Sequence, residues 1–189
     1  MPKREKTTKT KNNFRKEIAA VFGFLGKASR RLAATKSAFR VATAHEIAST
    51  GRIFDKVELF SRGDALGKGV RATDVIQKGE ILASYGGRVV PKLLVSQQKY
   101  KTAYALQLTK DFVIDGNPLL PETRGHLGPL INDAAGSVRQ ATNNNAKFSR
   151  GFIRANGEKL HTMWVKATKT IQKGEEIYVS YGRLYWKNI

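Results

Sequence analysis

Hydrophobic and polar positions follow different patterns before and after residue 50. Residues 1–13 are almost entirely charged or polar, which predicts disorder. The apolar residues that follow have the three- and four-residue spacing of a short amphipathic helix, interrupted by two glycines: Phe14, Ile18, Val21, Phe22 and Leu25. This spacing is lost near residues 49–51. We therefore divide the chain into an N-terminal tail (1–50) and a domain (51–189).

From Ile53 onward the chain consists of short segments rich in β-branched and aromatic residues, separated by glycines. Such segments are typical of β-strands: VELF (57–60), ILASY (81–85), YALQL (104–108), FVI (112–114), MWVKA (163–167) and IYVSY (177–181). The segment 91–106 has the best helical pattern, over one or two turns before a strand. The domain is therefore predicted to be mostly β, with few short helices.

Two stretches of the domain are similar to each other. Residues 72–87 and 167–183 share A-T-x-x-I-Q-K-G-E and then, after one inserted residue in the second copy, S-Y-G. The Lys-Gly step in each suits a turn that needs a positive φ, and the residues after it alternate as in a strand. This similarity predicts a pseudo-symmetric β fold in which each unit ends near a tyrosine, Tyr85 or Tyr181.

The chain is strongly basic, with 34 Lys and Arg against 15 Asp and Glu and a net charge of +19. The tail is the densest part, with 12 basic and 3 acidic residues in positions 1–50. Such a charge attracts polyanions through counterion release. Residues 1–40 are therefore a candidate for nonspecific DNA or RNA contact, although a merely solubilising tail would explain the charge equally well.

Composition excludes some classes of site. The chain has no cysteine, which excludes disulfides and thiolate zinc clusters. Its histidines (His45, His126 and His161) are far apart without acidic partners at ligand spacing, so we predict no metal site. No apolar run approaches the roughly 18 residues of a membrane span, and the N-terminus lacks the apolar stretch of a secretory signal. We therefore expect no membrane partner and no secretion.

Four motifs occur in order along the domain: GKGV (67–70), SYGG (84–87), INDAAGSVRQATNNNAKF (131–148) and GEEIYVSYGRLYW (174–186). Each alone is weak, because a G-x-G is usually a tight turn and an Asn-rich stretch is usually a loop. Together they resemble the SET-domain protein lysine methyltransferases, over residues 57–186. The ending is similar to that of compact, cysteine-free members such as viral SET proteins.

The resemblance implies a fold of small sheets with a knot-like C-terminal crossing, here with a basic N-terminal extension. It also implies methyl transfer from S-adenosylmethionine, without a metal, to a lysine of a protein. By resemblance, Tyr181 is the catalytic tyrosine, and the lysine channel is lined by Tyr85, Tyr104 and Val179. The residues implied to hold the cofactor are Lys68, Gly69, Val70, Tyr104, Asn132, Asp133, Tyr181, Tyr185 and Trp186.

This chain departs from the family pattern at particular positions. Asp133 stands where the family usually has a histidine, and Val179 stands where members often carry a Phe or Tyr that influences how many methyl groups are added. Cysteine-rich flanking modules are absent, so Tyr185 and Trp186 are expected to close the site. Asn145 is interpreted as a structural residue of the crossing, and Tyr178 as a core residue facing away from Tyr181.

Two other functions stay open at this point. The first is a noncatalytic SET-like module that binds nucleic acid or chromatin. The second is a small RNA-binding protein, which would interleave basic and aromatic residues on one sheet face. A histone is the expected substrate of the enzyme, although basic ribosomal or viral proteins are open too. We expect a nuclear or chromatin-associated protein in a eukaryotic or viral setting, and otherwise a cytoplasmic one.

Overall fold

The computed structural model describes residues 40–63, 67–98, 100, 102–134, 143–182 and 185. The predictions made for the tail up to residue 39, and the placement of Trp186, lie outside these described residues. The chain divides into Met1–Arg40 and a compact unit, Val41–Ile189. No helix of the described part is long and apolar enough to cross a membrane.

The compact unit begins with a short capped helix, α1 (Ala44–Ser49). The Thr43 hydroxyl accepts a hydrogen bond from the Glu46 N–H, and the Glu46 carboxylate accepts one from the Thr43 N–H. This capping box satisfies backbone donors that the first turn leaves without partners. Ile47 of α1 is buried in a cluster with Leu160 and Trp164. Residues 41–50 therefore pack within the compact unit, ahead of the boundary that we drew at residue 50.

In the described part of the chain, eight strands form three small antiparallel sheets. The first sheet pairs β1 (Val57–Ser61) with β2 (Lys68–Ala72); the second has the order β3 (Ile81–Ser84), β8 (Glu158–Ala167), β7 (Ala146–Ala155); the third has the order β4 (Arg88–Pro91), β6 (Phe112–Asp115), β5 (Ala105–Gln107). Further helical elements of the described part are α2 (Lys92–Ser96) and two single 3₁₀ turns, Pro121–Thr123 and Gly128–Leu130. The prediction of a mostly β domain with few short helices is confirmed.

The two similar stretches pair with each other about a local pseudo-twofold axis. Ile76 and Ile171 exchange both backbone hydrogen bonds, at 3.0 and 2.9 Å. The N–H of Gly79 donates to the Ala167 carbonyl at 2.9 Å, and the N–H of Gly174 donates to the Ala72 carbonyl at 2.8 Å. Both glycines have positive φ, +92° and +84°, which a residue without Cβ adopts at no steric cost. The pseudo-symmetry predicted from the repeat is therefore present.

The C-terminal segment crosses between β2 and the Asn132 segment. The Ile177 N–H donates to the Val70 carbonyl at 2.8 Å, and the Val179 N–H donates to the Asn132 carbonyl at 2.9 Å. The Asn145 side chain holds the crossing, because it accepts from the Tyr178 N–H at 2.8 Å and donates to the Glu176 carbonyl at 2.9 Å. The Asn145 side chain thus pairs with the backbone of the C-terminal segment as a neighbouring strand would. This is the structural role that we expected of Asn145.

Candidate active site

Residues of β2, β5 and β7 and of the C-terminal crossing line one cavity of about 450 Å³. Its volume falls within the range of small-molecule sites. Its lining includes aromatic, aliphatic and polar residues: Arg62, Lys68, Tyr85, Ala103, Tyr104, Ala105, Leu106, Gly128, Pro129, Leu130, Ile131, Asn132, Asp133, Phe148, Tyr181 and Tyr185. The pseudo-symmetry explains why Tyr85 and Tyr181 both reach this cavity, since each follows the strand segment of its own repeat.

Tyr85 is fixed by packing on its ring and by one hydrogen bond at its end. Its ring meets the ring of Phe148 edge-on, with centroids 5.4 Å apart. Its hydroxyl donates to the backbone carbonyl of Tyr104 at 2.6 Å. Gly116 lies directly against the ring, where a Cβ would come within 2.5 Å of the phenol oxygen. The glycine is therefore required for the present position of Tyr85.

Tyr181 is held at both its backbone and its hydroxyl. Its N–H donates to Oδ2 of Asp133 at 2.7 Å, and its hydroxyl donates to the Ile131 carbonyl at 2.8 Å. Its ring packs edge-on against Tyr185, with centroids 4.8 Å apart. Two contacts from the Ile131–Asp133 segment and one from Tyr185 therefore fix the direction in which this phenol oxygen faces the cavity.

Both tyrosines remain protonated across the physiological range. Burial is the main cause that raises the pKa of Tyr85 and of Tyr181 above the ordinary value of about 10, and in each case the other nearby tyrosines add to it. Since each O–H proton is donated to a main-chain carbonyl, the oxygen lone pairs are what each phenol can offer to a ligand. The cavity thus presents hydrogen-bond acceptors on an aromatic wall.

A hydrogen-bonded network connects polar residues of the cavity lining to Glu176. Nδ2 of Asn132 donates to the Lys68 carbonyl at 3.0 Å and to Oε1 of Glu176 at 3.3 Å. The same Glu176 oxygen lies 3.1 Å from Nε of Arg62, and both side chains are largely buried. Its other oxygen accepts from the Tyr178 hydroxyl at 2.6 Å. Glu176 therefore connects the first sheet (β1 and β2) to the C-terminal crossing.

Gly69 shows why this network needs the second glycine of the G-x-G motif. A Cβ at this position would lie 2.7 Å from Oε1 of Glu176 and 3.0 Å from the ring of Phe60. A larger residue would push Glu176 away from Asn132. The second glycine of the motif is therefore needed because it packs closely against the Glu176 carboxylate.

The buried Asp133 connects the two long segments of the site. Besides the Tyr181 N–H, its carboxylate accepts from Nδ2 of Asn144 at 3.3 Å. Asn144 in turn accepts from the N–H of Ala134 at 3.1 Å. The carboxylate thus organises the backbone on either side of the cavity.

The structure brings most of the predicted site residues together. The cavity is lined by Lys68, Tyr85, Tyr104, Asn132, Asp133, Tyr181 and Tyr185. Gly69 is buried beside the cavity without lining it. Val70 and Val179 are completely buried in the hydrophobic core and do not line it either. Trp186 is outside the described residues.

Sequence reasoning missed Arg62 and Phe148, which also line the cavity. Phe148 is the last residue of the quoted motif 131–148, so its aromatic side chain could have been included among the predicted site residues. Arg62 carries no such signal, because the ion pair that holds it at the site is with Glu176, which is distant in sequence. Tyr178 is buried and does not line this cavity, in agreement with its interpretation as a core residue. Among the described residues, no three His, Asp or Glu side chains converge as metal ligands.

Comparison with known proteins identifies the family. A family model described as the SET domain matches residues 67–182. Among solved structures, a Plasmodium falciparum protein named as a candidate histone methyltransferase is similar, with 24% identity and a TM-score of 0.45; the match covers 71% of this chain and 99% of that one. No curated protein matches the chain significantly. Because the family match spans more than half of the sequence, the chain belongs to the SET-domain family of protein lysine methyltransferases.

Proposed function

We propose that this protein transfers a methyl group from S-adenosylmethionine to the side-chain nitrogen of a lysine in a protein substrate. The observation that carries the proposal is the pair of phenols, Tyr85 and Tyr181, in one aromatic-walled cavity, each with its proton donated to a main-chain carbonyl. That arrangement suits a neutral amine, which has N–H groups to donate and a lone pair that must remain free.

The reaction is a displacement in which an N–C bond forms as the S–C bond of the methyl donor breaks. The donor, when bound, supplies a methyl group already activated by a positively charged sulfur. The lysine must first lose a proton to solvent, and at pH 7.4 only about 0.1% of a free lysine is neutral, a cost of roughly 4 kcal/mol. An aromatic wall made by Tyr85, Phe148 and Tyr181 disfavours the ammonium form by desolvation and lowers that cost.

The two phenols then orient the amine. Each phenol oxygen accepts an N–H of the amine, because its own proton is already donated. With its N–H groups held in this way, the lone pair points away from the two phenol oxygens and stays free to accept the methyl group. This is catalysis by positioning, and it requires no general base in the protein.

The polar residues of the cavity fit the donor. Lys68 offers a cation for its carboxylate and lines the cavity. None of the hydrogen bonds among the described residues uses Oδ1 of Asn132, which leaves an acceptor for the donor's ammonium group. Tyr185 offers an aromatic face for the adenine, and Asp133 lines the same cavity. We infer that these residues hold the cofactor.

A histone is the substrate class that we propose. Its support is the family membership together with the net charge of +19, which would favour accumulation on polyanionic chromatin. A nuclear or chromatin-associated location follows from the same proposal for a eukaryotic or viral source.

The test is methyl transfer from radiolabelled S-adenosylmethionine to nucleosomes, to free histones and to the protein alone. Tyr181→Phe is expected to lower the rate about a hundredfold, which is the effect of a small misplacement of a reacting group. Tyr100→Phe is the matched control, because its hydroxyl donates to Oδ2 of Asp115 and the residue does not line the cavity. Failure to bind the cofactor in calorimetry, together with no transfer, would contradict the proposal and favour a noncatalytic module.

A further inference from the structure

One face of the β7–β8 hairpin carries exposed cations on both sides of an exposed aromatic ring. We define this hairpin face by Arg150, Phe152, Arg154, Lys159 and His161. Alternation along β7 places its three residues on one face, and the antiparallel register sets Phe152 opposite His161 and Arg154 opposite Lys159. Phe152 is 52% exposed, which is unusual for a large apolar side chain on a regular strand.

The opposite face of the hairpin is occupied by the protein itself. Ile153 and Leu160 are buried there in the cluster that contains Trp164 and Ile47 of α1. Since side chains alternate between the two faces, this packing fixes the register and forces the hairpin face outward. The exposure of Phe152 is therefore a consequence of the fold and not of a loosely held side chain.

Charge pairing within the protein does not explain this arrangement. Arg154 and Lys159 lie directly opposite each other, and like charges in that position destabilise a sheet. Among the described residues, no ion pair compensates Arg150, Arg154 or Lys159. Nζ of Lys159 lies 4.2 Å from the centroid of the Phe152 ring, so the cation is held beside the aromatic surface.

We propose that the hairpin face binds single-stranded nucleic acid. The cations would contact successive phosphates, and Phe152, with His161 at 4.7 Å between ring centroids, would stack a base. Interleaved basic and aromatic residues on one sheet face are the feature that the sequence analysis required of a small RNA-binding protein. The pairing of β7 with β8 brings these basic and aromatic residues onto one face. The proposal is independent of methyl transfer.

The test is fluorescence anisotropy of the full-length protein with a labelled oligothymidine, over a range of salt concentrations. Arg150→Gln combined with Arg154→Gln is expected to weaken binding at least fivefold. It should also make the slope of log K against log salt shallower by about 1.4, as two lost phosphate contacts would. The matched control is Lys78→Gln with Lys173→Gln, which removes two exposed charges elsewhere and should leave the slope unchanged. Equal losses in both double variants would overturn the proposal.

A second variant tests stacking separately from charge. Phe152→Leu is expected to weaken binding of the oligothymidine about fivefold or more, and binding of a duplex of equal length less than twofold. An equal effect on both ligands would overturn the stacking role. Labelled polyglutamate is the third ligand: binding as tight as that of the oligonucleotide, and equally sensitive to Phe152→Leu, would assign the face to acidic proteins instead. Unchanged melting temperatures exclude misfolding as the cause.

Discussion

The carboxylate of Asp133 accepts a hydrogen bond from the backbone N–H of Tyr181 at 2.7 Å. The two residues are 48 positions apart in the chain, so this contact fixes the C-terminal segment against the segment that carries Asn132. Tyr181 then needs only its second contact, from its hydroxyl to the Ile131 carbonyl, to be held at both ends. The residue that departs from the family pattern thus positions the tyrosine on which the proposed reaction depends.

Asp133→Ala is expected to lower the rate of methyl transfer by about ten- to a hundredfold, because Tyr181 would lose its backbone anchor. It should also lower the free energy of unfolding by about 1–3 kcal/mol, since the Tyr181 N–H would lose its acceptor. Asp111→Asn, which removes an exposed carboxylate, is the control for charge. Rates from single turnovers and urea unfolding check the two effects. An unchanged rate in Asp133→Ala would show that the anchor is dispensable.

Gly116→Ala is expected to displace the Tyr85 ring, because the new Cβ would lie 2.5 Å from the phenol oxygen. Overpacking of this kind costs about 1–3 kcal/mol of stability. Methyl transfer should fall by more than the stability loss explains, up to about a hundredfold, since the hydrogen bond to Tyr104 would be broken. The rate is measured well below the melting temperature of the variant. Wild-type transfer would mean that the position of Tyr85 does not matter.

Glu176→Ala and Glu58→Ala compare a buried ion pair with an exposed one. Removing Glu176 leaves Arg62 with a largely buried charge and should destabilise the protein by about 3 kcal/mol. Removing Glu58 breaks its pair with Arg71, where both side chains are nearly half exposed, and should cost less than about 1 kcal/mol. Urea unfolding of both variants measures the difference. Equal losses would contradict the role assigned to the Glu176 network.

Stability is expected to fall in mild acid because of His126. Its ring is buried and shares a hydrogen bond with the Ser84 hydroxyl at 2.8 Å, and burial lowers its pKa to about 4. The unfolded chain has a histidine pKa of about 6.5, so between these values it binds a proton that the native state does not. Stability is therefore complete above about pH 6.5 and declines by about 1.4 kcal/mol per pH unit as the pH falls towards 4.

Urea unfolding at pH 7 and pH 5 tests this dependence. The wild type should lose about 2 kcal/mol more between the two conditions than His126→Gln, because the variant lacks the titrating ring. All other titrating groups are common to both proteins and cancel in the comparison. The same pH dependence in both would show that His126 does not become protonated on unfolding.

The local pattern of the sequence determined the class of the domain. Glycine punctuation and short alternating segments were enough to predict a mostly β chain, because strands and turns depend on residues that are near each other. The repeat also predicted pseudo-symmetry, since both copies need the same Lys-Gly turn. The order and spacing of the motifs indicated the family and, through that resemblance, the site residues Tyr85, Asn132 and Tyr181.

Tertiary structure decided what each of these residues does. Alternation alone could not show that Val70 and Val179 belong to the core, because their burial depends on strands distant in sequence. Nor could it reveal the pairing of Arg62 with Glu176, which lie 114 positions apart. Asp133 and Tyr181 become hydrogen-bond partners because the segments that carry them cross in the folded chain. A sequence records which groups are available, whereas only the folded chain determines which of them meet.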